Sequence, residues 1–247
     1  MIPLKSEKDL EMLRKSGRIL SRIMRRLQSS VTAGMTTADI DVMAGELIEK
    51  EKVLPAFKGY KGYPANICTS INEEVVHGIP SDVKLAEGDI LSLDLGVNYE
   101  GFFSDMAVTV PVGRINSRLK RLLEVTKSSL SEAIKYAKVD NRLSDISSAV
   151  QDYVERNGFS VVRQFVGHGI GRALHEEPEI PNFGKAHQGV ILRHGMVFAI
   201  EPMVNMGSWE CVIRDNGWTA ATKDGQPSAH FEHTVAITDK GVEILTL

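Results

Sequence analysis

Five side chains, scattered along the chain, are of the types that bind divalent metal ions. They are Asp94, Asp105, His168, Glu201 and Glu232. Four are acids on apolar, β-branched runs such as residues 91–96 and 197–202, and the histidine lies in a glycine-rich stretch, residues 166–171. An acid seldom occupies a buried strand unless its charge is paired or bound to a cation. The four acids and the histidine together predict a two-metal site.

The predicted ligand types also indicate a reaction. Four ionised carboxylates held close together raise one another's pKa values, and two divalent cations would cancel that repulsion. A carboxylate-rich site with one imidazole suits manganese, iron or cobalt at least as well as zinc. A water molecule that bridges two such ions is acidified to hydroxide near neutral pH, while the ions polarise a carbonyl oxygen. The expected reaction class is therefore metal-assisted hydrolysis.

Composition and charge narrow the class of protein and its location. A chain of 247 residues, 43% of them hydrophobic and 25% charged, is typical of a globular protein and can bury a sizeable core. Its net charge of −3 gives no argument for nucleic-acid or membrane binding across the surface. The two cysteines indicate a reducing compartment. With no apolar leader and no run long enough to span a bilayer, the expected location is the cytoplasm.

Hydrophobic periodicity predicts four helices and a set of strands. The helices are expected near residues 6–28, 37–50, 118–137 and 143–157. The strands are expected near residues 67–70, 89–95, 101–110, 161–165, 196–203, 212–213, 229–238 and 242–245. Gly96 and Gly101 supply turn residues between the second and third strands. Adjacent antiparallel strands would then bring Asp94 and Asp105 side by side.

The two halves of the chain resemble each other. Residues 37–40 open a helix in the first half as residues 143–146 do in the second, and residues 87–94 parallel residues 193–201. This correspondence lays Asp94 over Glu201, and the later strands lay Asp105 over Glu232. We therefore predict an ancient duplication within one catalytic domain, with halves of about residues 1–112 and 113–247. Halves that face each other about a pseudo-two-fold axis would bring the four carboxylates to a shared centre.

The five predicted ligands, with residues 76–80 (Val-His-Gly-Ile-Pro) and 167–178, resemble those of type I methionine aminopeptidases of the bacterial kind, in peptidase family M24. The resemblance covers nearly the whole chain. It implies the α+β pita-bread fold, in which two pseudo-symmetric halves carry helices outside a curved antiparallel sheet. It also implies removal of the initiator methionine from nascent proteins with a small second residue, by attack of a metal-bridging hydroxide on the first peptide bond. All five residues match metal ligands of the family.

The resemblance gives catalytic roles to three side chains. His77 is expected at the mouth of the site, where it contacts the substrate amide and the leaving nitrogen. His175 is expected to donate a hydrogen bond to the scissile carbonyl oxygen. Glu201 is expected to act as general base and then as proton donor, besides binding metal. No catalytic role is expected for the other histidines outside the metal site, His187, His194, His230 and His233.

By the same resemblance, five side chains line a methionine pocket and contact substrate together with His77 and His175. They are Tyr60, Tyr63, Cys68, Leu174 and Trp218. Phe57 stands where a small or sulfur-bearing residue is expected, and Leu174 where family members often carry phenylalanine. Because leucine can still wall an apolar pocket, we expect selectivity for methionine with an altered pocket shape. Asn72 and Ser228 match a monovalent-cation site of the family.

Alternative functions on the same fold remain open at this point. Proline-specific (Xaa-Pro) peptidases share the ligands but usually add an N-terminal domain, for which this chain has no room. Type II enzymes carry a helical insertion that is missing here. A non-catalytic binding protein of this fold is expected to have broken ligands, and all five are intact.

The expected partners follow from the same resemblance. They are nascent polypeptide N-termini and the surface of the ribosome, with no specific nucleic acid and no membrane. Nothing in the helical faces forces a dimer, so a monomer is expected. The chain also lacks the Cys/His-rich extension of eukaryotic cytosolic enzymes, which favours a bacterial or organellar form.

Overall fold

The computed structural model describes residues 2–247. It confirms the four helices predicted from the sequence. They are α1 (Glu7–Ser30), α2 (Thr37–Lys50), α3 (Ser117–Ile134) and α4 (Leu143–Arg156), with a 3₁₀ turn at Tyr60–Gly62. Ser6 and Thr36 begin α1 and α2 through capping boxes with Asp9 and Asp39. α3 ends before residue 137 because the chain there closes into tight turns, in which the amide of Ala137 donates to the carbonyl of Ile134. No helix within residues 2–247 is long and apolar enough to cross a membrane.

The same residues form fifteen strands, and all their pairings are antiparallel. The strands are β1 (Leu54–Pro55), β2 (Cys68–Ile71), β3 (Glu74–Val76), β4 (Ile90–Tyr99), β5 (Phe102–Pro111), β6 (Ser160–Val161), β7 (Gly167–Gly169), β8 (Glu176–Ile180), β9 (Val197–Ile200), β10 (Met203–Asn205), β11 (Cys211–Ile213), β12 (Ala220–Thr222), β13 (Ser228–His230), β14 (His233–Thr238) and β15 (Gly241–Ile244).

Two sheets position the site, one in each half of the chain. In the first half, β4 and β5 form a long hairpin flanked by β1 and β2. In the second half the order is β15-β14-β9-β7-β8. Each sheet buries its apolar face under helices: Leu20 and Met24 of α1 pack with Leu93, while residues of α3 and α4 pack with Phe198 and Ile200. This burial is the main source of stability, since apolar area removed from water contributes roughly 25 cal/mol per Å².

Two of the predicted strands are wrong in extent, because each is divided at an acid. Residues 196–203 form β9 and β10 with Glu201 and Pro202 between them, and residues 229–238 form β13 and β14 with Phe231 and Glu232 between them. Pro202 has no amide hydrogen to give to a ladder. Its carbonyl instead accepts from the amide of Phe231 at 3.3 Å, so the two breaks adjoin each other. Both glutamates thereby leave the regular strand geometry.

The predicted strand at residues 161–165 is also shorter in the structure. β6 ends at Val161, and the next amide, that of Val162, donates to the carbonyl of Met203 at 3.0 Å. Beyond it, the side-chain amide of Gln164 makes both hydrogen bonds to the backbone of Cys211, accepting at 2.6 Å and donating at 3.1 Å. A side chain has therefore replaced the backbone ladder at this point.

Two threonine hydroxyls join the halves at the centre of the molecule. Thr109 accepts from the amide of His230 and donates to its carbonyl, both at 2.8 Å. Thr234 does the same to Asp105 from the other side, at 2.9 and 2.8 Å. β5 is thus fixed to β13 and β14 close to three of the acids, Asp105, Glu201 and Glu232. The division of the domain at about residue 112 stays a prediction.

Candidate metal centre and substrate cavity

All five predicted ligands line one cavity of about 170 Å³. Asp94 lies on β4, Asp105 on β5 and His168 on β7, whereas Glu201 and Glu232 lie in the two strand breaks described above. These positions are far apart in the sequence and come together because β5 of the first sheet packs against β14 of the second. We call these five side chains the metal wall.

The register of the β4–β5 hairpin explains how two acids come to share one face. Asp94 pairs with Ala107, and Asp105 pairs with Gly96. Because side chains alternate between the faces of a sheet, positions two residues apart on paired strands point to the same side. Asp94 and Asp105 are therefore diagonal neighbours, which confirms the predicted placement on adjacent antiparallel strands.

His168 presents one ring nitrogen to the acids. Its Nδ1 lies 2.9 Å from the carbonyl oxygen of Gly169, so it donates there and leaves the lone pair on Nε2. Nε2 lies 3.6 Å from Oε1 of Glu201 and 4.0 Å from Oδ2 of Asp105. Ligand atoms of Asp105, His168 and Glu232 all lie within 4.8 Å of one another, close enough for one ion to bind all three.

Burial makes this cluster electrostatically unstable by itself. Removal from water raises the pKa of Asp105 to about 7. The pKa values of Asp94, Glu201 and Glu232 are also raised, first by burial and then by the charges of the other acids. Burial lowers the pKa of His168 to about 4, so the imidazole is neutral near pH 7. Without a cation the acids of the wall therefore tend to retain protons, and Nε2 of His168 offers a neutral lone pair.

The side chains of the metal wall fit divalent cations. Oδ1 of Asp94 and Oε1 of Glu232 are buried and have no hydrogen-bond partner in the described part of the chain. A buried carboxylate oxygen without a partner costs several kcal/mol. A cation supplies the missing partner and cancels the repulsion that raises the pKa values. Carboxylate oxygens with one imidazole nitrogen are ligands suited to manganese, iron, cobalt or zinc.

The opposite side of the cavity is apolar. It is formed by Phe57, Tyr63, Cys68, Leu174 and Trp218, which we call the apolar wall. The ring of Trp218 meets that of Tyr63 edge to face with centroids 5.2 Å apart, and burial raises the pKa of the Cys68 thiol, so it behaves as a small apolar group. Phe57 and Leu174, the two residues predicted to depart from the family pattern, are both buried and face the same cavity.

Two histidines lie at the mouth between the walls. Nδ1 of His175 is 2.9 Å from the hydroxyl of Tyr60, and their rings stack at 5.2 Å with 20° between the planes. Partial burial, with the nearby His168 ring, lowers the pKa of His175 to about 3, so this ring is neutral. His77 has a left-handed backbone (φ 60°) and packs edge-on against Phe165 at 5.5 Å. Such backbone strain is common at binding sites.

The sequence analysis did not predict that His230 lies beside the metal wall. His230 is buried, and its Nε2 lies 3.5 Å from Oε2 of Glu201. Neither ring nitrogen has a hydrogen-bond partner among residues 2–247. Its position two residues before Glu232 was the available signal, because alternate residues share a face. His233, by contrast, points away to the hydroxyl of Thr246 at 2.9 Å.

Asn72 and Ser228 are neighbours, as the predicted monovalent-cation site requires. The amide of Ser228 donates to the carbonyl of Asn72 at 2.8 Å. The side chain of Asn72 donates to Asp89 at 2.8 Å and accepts from the amide of Ile90 at 3.0 Å. The hydroxyl of Ser228 donates to the carbonyl of Val204 at 3.2 Å. The bound cation itself stays a prediction.

Known proteins resemble this chain over its whole length. The model of metallopeptidase family M24 matches residues 11–239. A methionine aminopeptidase of Clostridium perfringens is 51% identical over 247 residues, which cover 100% of this chain and 99% of that protein. The crystal structure of a methionine aminopeptidase from Thermotoga maritima matches with a TM-score of 0.98 and 47% identity, covering 100% of this chain and 99% of the other.

A prolidase shares the fold at much lower identity. The enzyme from Pyrococcus furiosus matches with a TM-score of 0.81 and 22% identity, over 99% of this chain and 65% of its own. That likeness concerns the fold alone and confirms the predicted α+β pita-bread architecture. The high identities belong instead to methionine aminopeptidases. The chain therefore belongs to metallopeptidase family M24, among its bacterial type I methionine aminopeptidases.

Proposed function

We propose that this protein removes the N-terminal methionine from polypeptides whose second residue is small. The observation that carries the proposal is the pairing of the two walls in one cavity, one able to bind metal and the other apolar. Its volume of about 170 Å³ leaves space for a single side chain rather than a long peptide segment. Sulfur and aromatic groups on the apolar wall make favourable contacts with a thioether.

The metal wall would hold two divalent cations, and Asp105 and Glu232 would be among their ligands. Asp94, Glu201 and His168 would complete the set of protein ligands. When bound, such ions acidify a water molecule and polarise the substrate carbonyl. The ions also lower the pKa values that burial raises, so the four acids stay ionised near neutral pH.

Three side chains of the cavity would handle protons and hydrogen bonds. Glu201 takes a proton from the attacking water and passes it to the leaving nitrogen. The hydroxyl of Tyr60 donates to Nδ1 of His175, which leaves Nε2 protonated and able to donate to the scissile carbonyl oxygen. His77, across the mouth, contacts the substrate amide. The neutral state of His175 suits a hydrogen-bond donor that keeps its proton.

The proposal is tested by turnover of two tripeptides, Met-Ala-Ser and Ala-Pro-Ala, by metal-free protein to which manganese, iron, cobalt or zinc is added singly. We expect methionine release that depends on the metal and falls more than about a thousandfold without it, because bound metal supplies several kcal/mol of transition-state stabilisation. Faster cleavage of the proline peptide would support the Xaa-Pro peptidase. No metal-dependent cleavage of either would support a binding protein.

Location and partners are parts of the same proposal. Cys68 and Cys211 are free and buried, which suits a reducing compartment and hence the cytoplasm. Newly made N-termini are the substrates that such an activity requires, so we expect action on nascent chains near the ribosome surface. A monomer completes the cavity, since every residue assigned to it comes from one chain.

A further inference from the structure

Lys5 is a buried lysine in the N-terminal arm, which we define as residues 2–6. Its side chain is only 5% exposed, and its ammonium pairs with the carboxylate of Glu176, itself 10% exposed. The partners are 171 positions apart in the chain. Lysine is rarely buried unless it is paired, and removing one partner of a buried pair leaves an uncompensated charge. No step proposed above uses this ion pair.

Glu176 connects the ion pair to the candidate site. Its Oε1 accepts from the backbone amides of Arg172 at 2.7 Å and Ala173 at 3.2 Å. These hydrogen bonds close the segment 171–176, which we call the His175 turn. His175 directly precedes Glu176 and reaches the mouth of the cavity. A single carboxylate thus accepts two of the hydrogen bonds that close the turn, and Lys5 holds that carboxylate.

The arm itself is seated in a tight groove. The amide of Lys5 donates to the carbonyl of Gly195 at 2.7 Å. A Cβ atom at Gly171 would lie 2.2 Å from Cε of Lys5, and one at Gly195 would lie 2.7 Å from its carbonyl oxygen. Only glycine leaves space for the arm at both positions. Backbone contacts of the arm therefore hold Lys5 in place independently of its ion pair with Glu176.

The two cavity-lining residues of the His175 turn depend on the Lys5–Glu176 ion pair to different degrees. Leu174 is 2% exposed and packs in the apolar cluster with Leu10 and Leu13 of α1, so it has its own anchorage. His175 is exposed and is held by the turn, by the hydroxyl and stacked ring of Tyr60, and by contact with the tilted ring of His168. Loosening the turn would move the imidazole more than the leucine.

We propose that Lys5 is a positioning residue, which holds His175 where it can donate to the scissile carbonyl. The inference rests on the proposed function, since it takes His175 to contact substrate. Without the ammonium, the Glu176 carboxylate turns to solvent and releases the amides of Arg172 and Ala173. The imidazole then leaves its position, while Leu174 and the metal wall stay in place. Turnover falls although methionine and metal still bind.

Kinetics of the metal-loaded enzyme on Met-Ala-Ser provide the first measurement. Lys5→Met should lower kcat about 10- to 100-fold, the cost of misplacing a catalytic group by about 1 Å, with little change in KM. Lys5→Arg, which keeps the charge, should restore most of the rate. The matched control is Arg14→Met, which breaks an ion pair of α1 with Glu243 (2.8 Å) that includes no residue of the His175 turn. That variant should keep the wild-type kcat.

Residue-resolved hydrogen exchange of the same proteins gives a second measurement that needs no activity. The amides of Arg172 and Ala173 should exchange faster in Lys5→Met and at the wild-type rate in Lys5→Arg and Arg14→Met. Calorimetry should find manganese binding unchanged, because His168 also pairs with Ala199 of β9. Glu176→Ala, which removes the acceptor of both amides, is a second variant for use if Lys5→Met fails to fold, and should show the same loss of kcat.

Two results would overturn the inference: wild-type kcat and exchange in Lys5→Met, or an equal loss in Arg14→Met, which would indicate general loosening of α1. Failure of the proposed function looks different. In that case the wild-type protein itself releases no methionine, while the exchange rates still show whether Lys5 orders the turn.

Discussion

The metal wall is built on paired strands and their breaks, whereas the apolar wall is built largely on loops. Asp94 and Asp105 lie within a ladder of backbone hydrogen bonds, and threonine hydroxyls fasten that ladder to the other half of the molecule. Leu174 and Trp218 lie on segments outside regular strands. Ligands must stay in place against strong mutual repulsion, and a rigid sheet provides this. A binding pocket tolerates variation, which loops allow.

This contrast predicts different kinetic signatures for the two walls. Groups that act on the transition state should change kcat, whereas groups that hold the methionine side chain before and during reaction should change KM. Variants of His175, Leu174 and Asp105 examine the mouth, the apolar wall and the metal wall in turn.

The largest of these effects is expected at the mouth. His175→Ala removes the donor to the developing oxyanion and should lower kcat for Met-Ala-Ser about 100-fold, the typical cost of one such donor. The matched control is His187→Ala, because the His187 side chain is 88% exposed on the surface. Equal rates for the two variants would remove His175 from the catalytic machinery.

A smaller effect is expected on the apolar wall. Leu174→Ala removes buried methyl groups from the pocket and should raise KM for Met-Ala-Ser about tenfold with kcat nearly unchanged, because roughly 1–2 kcal/mol of apolar contact is lost. Leu54→Ala, at a side chain 65% exposed, serves as the control. A fall in kcat with constant KM would mean that the two walls do not divide binding and chemistry as described.

The smallest effect concerns stability in the metal-free protein. Folding raises the pKa of Asp105 from 3.8 to about 7, so the folded state binds more protons than the unfolded state between these values. The stabilisation by its protonated form is complete below pH 3.8 and is lost as the pH rises through 7. The melting temperature should therefore fall between about pH 4 and 7 more steeply in the wild type than in Asp105→Asn.

The control for this pH dependence is Asp239→Asn, which changes a carboxylate whose side chain is 78% exposed. It should follow the wild-type curve. Calorimetric melting curves in the presence of a chelator give all three profiles. Identical slopes for wild type and Asp105→Asn would show that Asp105 is not held in a repulsive, dehydrated cluster.

The elements that local sequence determines were predictable. The predicted starts of α1 and α2, near residues 6 and 37, are confirmed, and the capping boxes found there depend only on residues three positions apart. The acids of the metal wall were also visible, because a carboxylate on an apolar run is unusual wherever the run folds. To predict that these acids meet at one centre, the internal repeat and the family resemblance were needed as additional information.

Features that depend on distant partners were not predictable. Apolar periodicity continues through Glu201 and Glu232, so it does not mark the points where the strands divide, although Pro202 offered a hint. Burial of His230 is imposed by the meeting of two sheets. Lys5 precedes the first helix, and its burial depends on glycines far along the chain. Such contacts exist only in the folded molecule.

The measurement that most directly tests the division between the walls is the comparison of turnover with peptide affinity in Glu201→Gln. The amide keeps an oxygen ligand and the size of the side chain but cannot accept the proton. With metal content verified, kcat for Met-Ala-Ser should fall at least about 100-fold, while the Kd for the peptide stays near the KM of the wild type. Substantial turnover in this variant, or loss of peptide binding together with turnover, would contradict the account.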